Sequence, residues 1–213
     1  MKIGLLGSGE VAKTLGSGFL KHGYEVMLGS RTPAKLDEWV AANPAGKAGT
    51  FDDAAAFGDL LVLSVLGHVA SDALRSVDAR SIAGKTILDT TNPIAEAPPK
   101  DGILTFSSEI NHSLMERLQA EFKDAHFVKA FNSVGSASMV NPEYKEGRPT
   151  MFICGNDAAA KKLAASILDQ FGWDTEDMGV AEAARAIEPL CMLWCIPGFL
   201  RNEWTHAFKL VKR

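Results

Sequence analysis

Short apolar runs alternate with longer amphipathic stretches along the whole chain. Several of the runs are apolar without interruption, as expected for parallel strands that are covered on both faces. The predicted strands lie at residues 2–6, 25–28, 60–65, 86–88, 127–130 and 151–154. The predicted helices lie at residues 10–21, 32–42, 107–122 and 157–171. This alternation predicts an α/β fold, with a Rossmann-like, doubly wound, mostly parallel sheet and a short C-terminal helical segment.

Residue types at the predicted boundaries support these elements. Gly23 follows the first helix as a stop signal. Thr32 as N-cap and Pro33 in the first turn are typical of a helix start. Asn156 or Asp157 is the expected cap of the helix at 157–171. The proline-containing stretch 90–105 lacks periodicity and is predicted as a loop.

The last part of the chain, residues 182–213, is helical at first and apolar on more than one side. The pair Pro197-Gly198 predicts an interruption of this helix. A helix that is apolar all round needs cover from elsewhere. We therefore expect this segment to close over a ligand or to contact a second copy of the chain in a homodimer.

A glycine turn stands between the first predicted strand and the first predicted helix. It matches G-x-G-x-x-A, and it reads Gly7-Ser8-Gly9-Glu10-Val11-Ala12. The first glycine permits a tight turn, the second lets a pyrophosphate approach the backbone, and the alanine allows close packing of helix on strand. The helix N-terminus supplies N–H donors and a partial positive charge. The strand–turn–helix context predicts that a dinucleotide binds here.

The residues after the second predicted strand distinguish between two cofactors. A carboxylate at this place would bind the adenosine ribose hydroxyls and repel a 2′-phosphate, but the chain has Ser30, Arg31 and Thr32. An arginine pairs with the 2′-phosphate and can stack on adenine. Lys35, one turn further along, could add positive charge. The sequence predicts NADP(H); the alternative is that Arg31 is a solvated loop residue.

Composition narrows the choice of partner and location. A chain of 213 residues with 46% apolar content can bury one substantial core. Its net charge of −4 argues against nucleic acid and anionic membranes as partners. The longest apolar stretches, 60–67 and 189–200, are shorter than the ~20 residues of a membrane span. Three cysteines and the lack of a signal-peptide pattern predict a cytoplasmic protein with reduced thiols.

Six stretches in this order resemble one family: "GLLGSGEVA", "VMLGSR", "ILDTTNP", "VKAFN", "MFICGND" and "ARAIEPL". The chain resembles the NADPH-dependent reductases typified by deazaflavin (coenzyme F420):NADP oxidoreductase, and the cytoplasmic domain of six-transmembrane metalloreductases. The resemblance implies hydride transfer from NADPH to a flavin (FMN or FAD) or a deazaflavin, with the two rings stacked at the carboxyl ends of the strands. It also implies an NADP-binding domain over residues 1–180, followed by the helical segment 181–213.

The resemblance implies a set of cofactor-binding residues that all follow strands. They are Gly9, Glu10 and Val11 at the pyrophosphate, Ser30, Arg31 and Lys35 at the 2′-phosphate, Leu66, Asn92 and Pro93 at the ribose and nicotinamide, and Asn132, Ser136 and Ala137 at the carboxamide. None of these side chains is an obvious proton donor. That suits hydride transfer between two stacked rings, which requires positioning more than acid–base help.

Three further residue types have two interpretations each. His68 follows the fourth strand, where it could border the nicotinamide ribose or donate a proton, or could be an exposed histidine at a helix start. Cys191 and Cys195 have the spacing of a metal pair but lack further ligands nearby, so we expect buried thiols and no metal. Glu188 could hydrogen-bond an acceptor ring or, as we expect, a helix terminus.

Two alternative functions remain open at the level of the sequence. One is an NADPH-dependent reductase of a small imine or carbonyl compound, which needs a proton source such as His68. The other is a non-catalytic NADP(H)-sensing module that uses the C-terminal segment as an interaction surface. The leading prediction is an NADPH-dependent oxidoreductase with a flavin-type acceptor.

Overall fold

Eight strands and seven α-helices follow one another along residues 1–212, the part of the chain that the computed structural model describes. The strands are β1 (Lys2–Leu6), β2 (Glu25–Gly29), β3 (Lys47–Gly49), β4 (Leu60–Leu63), β5 (Thr86–Asp89), β6 (His126–Lys129), β7 (Thr150–Ile153) and β8 (Asp174–Asp177). The helices are α1 (Glu10–Lys21), α2 (Asp37–Ala42), α3 (Phe51–Phe57), α4 (Ala70–Arg75), α5 (Leu114–Glu121), α6 (Ala158–Gln170) and α7 (Ala184–Arg201).

The first six strands form one sheet in the order β3-β2-β1-β4-β5-β6, and every neighbouring pair is parallel. The strands β7 and β8 form a second, two-stranded parallel sheet. A β-bridge joins the two sheets where the Lys129 N–H donates to the Cys154 carbonyl at 3.0 Å. The predicted Rossmann-like α/β fold is confirmed.

Helices cover both faces of the six-stranded sheet, which explains why its central strands are apolar without alternation. On one face Leu15 and Phe19 of α1 belong to the same buried cluster as Leu5 of β1. On the other face Leu118 of α5 belongs to the same buried cluster as Leu63 of β4. The sheet is therefore buried between two apolar layers, and the polar residues of the central strands lie at the strand ends.

The helix predicted at residues 107–122 begins later, at Leu114. Ser113 is its N-cap and forms a reciprocal capping box with Glu116, so this serine fixes the start of the helix. Upstream, Ser107 belongs to the preceding loop, because its N–H donates to the Pro93 carbonyl at 2.7 Å. The first half of the prediction is wrong because a local capping signal took precedence over the amphipathic pattern.

The second predicted helix also differs from the structure at its start. The Thr32 side chain makes no capping hydrogen bond to residues 1–212. The backbone N–H of Thr32 instead donates to Ser30 Oγ at 3.1 Å. The chain forms a 3₁₀ turn at Pro33–Leu36 before α2 begins. By contrast, the predicted cap of α6 is confirmed, since Asp157 Oδ1 accepts from the Ala160 N–H at 2.7 Å.

The sequence pattern missed β3 and β8. The strand β3 has three residues, Lys-Ala-Gly, and β8 reads Asp-Thr-Glu-Asp. Neither segment carries an apolar run, because β3 lies at the edge of its sheet and β8 belongs to the small sheet. Their pairing with β2 and β7 is a property of the assembled sheets that local hydrophobicity does not report.

The predicted interruption at Pro197-Gly198 is wrong, because α7 continues to Arg201. The helix ends where Asn202 adopts a left-handed conformation with φ +56°. A Cβ at Gly198 would lie 2.3 Å from the Trp204 ring, so this glycine permits close packing of the returning chain. That chain then runs back to the small sheet, where the Thr150 N–H donates to the Phe208 carbonyl at 2.8 Å.

Because α7 is continuous, the apolar segment at the C-terminus is longer than the sequence pattern predicted. The helical stretch Ala181–Arg201 has 21 residues and contains an 18-residue window with a mean hydropathy of 1.3, which meets the length and composition of a membrane span. A core helix of a globular protein meets the same criteria, and 39% of this window is buried inside the protein. The helix also carries the fully buried Glu188. Length and composition are therefore weak support for a membrane span here.

Candidate functional site

Parallel strands place their carboxyl ends on one edge of the sheet, and the turns that follow β1, β2, β4, β5 and β6 therefore share that edge. All the predicted cofactor residues lie in these turns or directly after them. Chain connections leave in opposite directions from β1 and β4, so a crevice is expected between these two strands. The 3₁₀ turn Ser136–Ser138, which follows β6, packs against α1.

Glycine occupies the two positions of the first turn, 7 and 9, for different structural reasons. A Cβ at Gly7 would lie 2.3 Å from the Ser64 carbonyl oxygen, so only glycine fits between β1 and β4. A Cβ at Gly9 would have no atom of residues 1–212 within 4 Å, apart from its immediate chain neighbours. No side chain in the same range caps α1 at Gly9. The N-terminus of α1 thus has open space in front of it and N–H groups available to an anion.

The turn after β2 is tied to this glycine turn. Ser30 is buried, and its Oγ lies 3.3 Å from Ser8 Oγ. The Gly7 N–H donates to the Gly29 carbonyl at 3.1 Å, which fixes the two turns side by side. Arg31 and Lys35 are exposed beyond Ser30. Two positively charged residues therefore lie in the segment that follows the turn joined to the glycine turn.

Two asparagines join the turns that follow β5 and β6. Asn92 Nδ2 donates to the Asn132 carbonyl at 2.8 Å, and Asn132 Nδ2 donates to Asn92 Oδ1 at 3.1 Å. Asn132 Nδ2 also donates to the Ile187 carbonyl of α7 at 2.9 Å. Asn132 is 4% exposed, and its Oδ1 accepts no hydrogen bond from residues 1–212. Few buried polar atoms lack a hydrogen-bond partner, so this oxygen marks the strand ends as a candidate functional site.

The residue before Asn132 has a strained backbone. The backbone of Phe131 has φ +60°, which lies in the left-handed region that residues other than glycine rarely adopt. Its ring is fully buried and packs against Phe171. Such a conformation costs about 1–3 kcal/mol and persists where the surrounding structure dictates it, often at functional sites. The strain here turns the chain sharply at the end of β6 and places Asn132 beside Asn92.

A buried ionic cluster that sequence analysis left without a role lies directly beneath these turns. Lys129 Nζ, fully buried, lies 2.7 Å from Asp89 Oδ2 and 3.0 Å from Glu188 Oε1, and donates to the Thr91 carbonyl at 2.7 Å. Burial by itself would lower the pKa of Lys129, but the two carboxylates outweigh it and the pKa is raised. The lysine is therefore charged. The signal for this cluster was the presence of a lysine and an aspartate in otherwise apolar strands.

Glu188 performs the structural role expected of it. Its carboxylate accepts from the Leu114 N–H at 3.0 Å and from the Met115 N–H at 2.9 Å, at the N-terminus of α5. The positive end of that helix and the ammonium of Lys129 both stabilise the negative charge. The expectation that Glu188 binds a helix terminus is confirmed. The same carboxylate joins α7 to α5 and to the end of β6.

The remaining candidates lie at the outer side of the same edge. His68 Nε2 lies 3.3 Å from Glu96 Oε1, so an ion pair links the turn after β4 to the loop after β5 when the histidine is protonated. Leu66 is 69% exposed next to it. Cys191 and Cys195 both lie on α7, and residues 1–212 contain no group of three or more metal-ligand side chains. The structure thus offers these two thiols no further ligands.

A parallel sheet in this order, with a glycine turn before an uncapped helix and an arginine after the second strand, defines a dinucleotide-binding α/β protein. The family profile described as "NADP oxidoreductase coenzyme F420-dependent" matches residues 2–93. A crystal structure from Arthrobacter sp. FB24, provisionally described as an F420-dependent NADP reductase, is 31% identical, covers 100% of both chains and has a TM-score of 0.93. The chain belongs to this family of NADP oxidoreductases.

Two other relatives extend the comparison. Rat metalloreductase STEAP3 is 29% identical over 205 residues, which are 93% of this chain but only 39% of the length of STEAP3. A reductive aminase from Aspergillus terreus, in complex with NADPH and ethyl-5-oxohexanoate, is 19% identical and has a TM-score of 0.68. That match covers 94% of this chain and 63% of the aminase, and it shows a shared fold alone.

Proposed function

We propose that this protein is an NADPH-dependent oxidoreductase that transfers a hydride between NADP(H) and a flavin or deazaflavin coenzyme. One observation carries the proposal: the glycine turn and the turn after β2, which leads into Arg31, lie side by side. Their contact is the hydrogen bond between Ser8 Oγ and Ser30 Oγ, 3.3 Å apart. Arg31 follows Ser30 directly, so in this proposal its guanidinium reaches toward the open N-terminus of α1. A phosphorylated dinucleotide has its pyrophosphate and its 2′-phosphate at the same relative places. Membership of the NADP oxidoreductase family supports the same cofactor.

In this proposal different residues bind different parts of the cofactor. The open backbone at Gly9, with Glu10 and Val11, holds the pyrophosphate, and Arg31 with Lys35 holds the 2′-phosphate. The buried Asn132 Oδ1, which lacks a donor from residues 1–212, accepts from the carboxamide NH₂. The other residues assigned to this end of the cofactor, Leu66, Pro93, Ser136 and Ala137, follow the strands β4, β5 and β6. Bound NADPH would supply the hydride.

Hydride transfer between two stacked redox rings demands correct distance and orientation and no side-chain nucleophile. The contribution of this chain is then to bind both rings in a fixed geometry and to exclude water. Lys129 Nζ and the amide hydrogens of Asn132 have partners within the protein, whereas Asn132 Oδ1 accepts no hydrogen bond from residues 1–212. That arrangement suits positioning.

A second candidate is NADPH-dependent reduction of a small imine or carbonyl compound. It is favoured by the His68–Glu96 pair, 3.3 Å apart, since a histidine held by a carboxylate can deliver the proton that such a substrate needs. The NADPH-bound reductive aminase has the same fold. In this version the hydride goes to the substrate carbon and the proton from His68 goes to its nitrogen or oxygen.

The decisive experiment mixes the purified protein and NADPH with separate acceptors and follows the nicotinamide absorbance. The acceptors are coenzyme F420, FMN, FAD, riboflavin and a cyclic imine. Oxidation with a flavin-type acceptor that is unchanged in His68→Ala supports the leading proposal. Oxidation with the imine alone, lost in His68→Ala, supports the second candidate. Tight NADPH binding without turnover on any acceptor would contradict both and indicate an NADP(H)-sensing module.

The organisation of the protein belongs to the same proposal. Residues 1–180 form the NADP-binding domain, and the C-terminal segment from residue 181 closes over the cleft or contacts a partner copy. Exposed apolar side chains at the C-terminal half of α7, Leu193, Phe199 and Leu200, support a homodimer. Sedimentation at low protein concentration tests the dimer. We propose a cytoplasmic location, and subcellular fractionation tests it.

A further inference from the structure

The cluster of Asp89, Lys129 and Glu188 has a geometric consequence for the turn after β5. Asp89 Oδ1 accepts from the Thr91 N–H at 2.9 Å and from Thr91 Oγ1 at 2.6 Å. Lys129 Nζ donates to the Thr91 carbonyl at 2.7 Å. Three polar atoms of one residue are therefore fixed by the two charged side chains. The next residue along the chain is Asn92, whose orientation follows from that of Thr91.

The turn after β6 is held from the opposite side by two successive residues of α7. Ile187 provides the carbonyl that accepts from Asn132 Nδ2 at 2.9 Å, and Glu188 lies 3.0 Å from Lys129 Nζ. Both amide hydrogens of Asn132 are then in use, toward Asn92 and toward α7. Its Oδ1 is fixed in direction and has no donor among residues 1–212.

The energetics of such a cluster argue against stability as its main effect. Burying charges costs several kcal/mol for each ion, and an apolar replacement of a complete cluster is often neutral or stabilising. The cluster here holds one lysine and two carboxylates, all buried, and it needs the N–H groups at the start of α5 to balance the second negative charge. What it achieves uniquely is a fixed geometry for the polar atoms of two turns.

We propose that Asp89, Lys129 and Glu188 form a positioning unit for the nicotinamide end of the cofactor site. The unit orients Asn92 and Asn132, and Glu188 makes α7 part of that end of the site. The inference rests on the proposed NADP(H) function. It predicts that the two ends of the cofactor depend on different parts of the protein. The phosphates depend on α1 and Arg31, and the nicotinamide depends on the buried cluster.

The test compares two ligands on the full-length protein, NADPH and 2′-phospho-ADP-ribose, which carries the same phosphates without nicotinamide. Glu188→Gln keeps the size of the side chain and removes one buried charge. We expect it to weaken NADPH binding about tenfold, the equivalent of one hydrogen bond, and to change the affinity for 2′-phospho-ADP-ribose less than about twofold. Calorimetry measures both dissociation constants.

Arg185→Gln is the matched control, because it breaks another contact between α7 and α5, the ion pair with Glu116, outside the cluster. It should change neither affinity. Asp89→Asn is the second variant if Glu188→Gln does not fold, since it keeps an acceptor for Thr91 and should reproduce the same selective loss. The fluorescence of bound NADPH should also change in both cluster variants and stay constant in the control.

Several results would overturn the inference. Equal weakening of both ligands by Glu188→Gln would show a general structural role, and no weakening of either would show no role. Equal affinity of the wild-type protein for the two ligands would show that the nicotinamide end is not held. Failure of the NADP(H) assignment itself gives a different pattern, because the wild-type protein would then bind neither phosphorylated ligand.

Discussion

Asn92 and Asn132 exchange side-chain and backbone hydrogen bonds across the ends of two neighbouring parallel strands, at 2.8 and 3.1 Å. Parallel strands pair through their backbones only as far as their last residues, so side chains must satisfy the polar groups of the turns that follow. Here one pair of amides does so and also reaches α7. The edge that would receive the nicotinamide is thereby joined to the C-terminal helix.

Replacing Asn132 by alanine should lower the free energy of unfolding by about 3 kcal/mol, because the Ile187 carbonyl and Asn92 Oδ1 lose their donor in a buried place. Urea unfolding measures the change. Asn111→Ala, at an exposed asparagine, is the matched control and should stay within about 0.5 kcal/mol of the wild type. Equal stability of the two variants would mean that the amide bonds contribute nothing.

Replacing Arg31 by aspartate should weaken NADPH binding by about 1.5–3 kcal/mol, the scale of a charged hydrogen bond, and should relatively favour NADH. A carboxylate would repel the 2′-phosphate and bind ribose hydroxyls. The measured quantity is the ratio of dissociation constants for NADPH and NADH. Arg117→Asp makes the same change of charge at an exposed position on α5 and should leave the ratio unchanged. An unchanged ratio in Arg31→Asp would refute the role of the guanidinium.

The two glycines of the first turn should respond differently to alanine. Gly7→Ala places a Cβ 2.3 Å from a backbone oxygen, so we expect a loss of about 2–3 kcal/mol of stability. Gly9→Ala meets no atom of residues 1–212 within 4 Å beyond its neighbours, so stability should fall by no more than about 1 kcal/mol. Its methyl group should nevertheless weaken NADPH binding at least about tenfold. Thermal unfolding and calorimetry separate the two effects, and full NADPH affinity in Gly9→Ala would argue against a pyrophosphate there.

The ion pair between Arg185 and Glu116 makes stability depend on pH. The hydrogen bond from Arg185 lowers the pKa of Glu116 from 4.5 to about 2 in the folded protein. The unfolded chain therefore binds more protons between these two values, so the stabilisation is present above pH 4.5 and is lost as the pH falls toward about 2. Arg185→Gln should lower the stability near neutral pH only modestly, since the pair is partly exposed.

Urea unfolding at neutral pH and at about pH 3 tests this dependence. The difference in stability between the wild type and Arg185→Gln should shrink at the lower pH. The capping box of Ser113 and Glu116 is retained in the variant, so α5 should begin at the same residue. A difference that does not change with pH would mean that the pair does not hold the carboxylate in its charged form.

Sequence patterns predicted most of the sheet because its strands are local apolar runs with glycine or polar residues after them. The start of β1, the extent of α1 and the cap of α6 at Asp157 follow from signals within a few residues. The pattern failed where distant contacts decide the outcome. Gly198 resembles a break in sequence, but the Trp204 ring occupies the space beside it. The strand β8 has no apolar residue and exists because β7 pairs with it.

The candidate site divides in the same way. The glycine turn and the Ser30-Arg31 turn could be found from the sequence, because each follows a strand and uses residue types with a specific chemistry. The role of Lys129 could not be derived, since its two carboxylate partners come from β5 and α7, far along the chain. Neither the orphaned oxygen of Asn132 nor the strain at Phe131 has any signature in the local sequence.

The amino-acid sequence by itself determined the class of fold and the position of the dinucleotide turn, because hydrophobic period and turn chemistry act over a few residues. Only the tertiary structure decided which charged groups are buried together and which acceptor is left for a ligand. The reason is that burial and pairing depend on which elements become neighbours in space. In this protein that neighbourhood joins β5, β6 and α7 at Lys129 and Asn132.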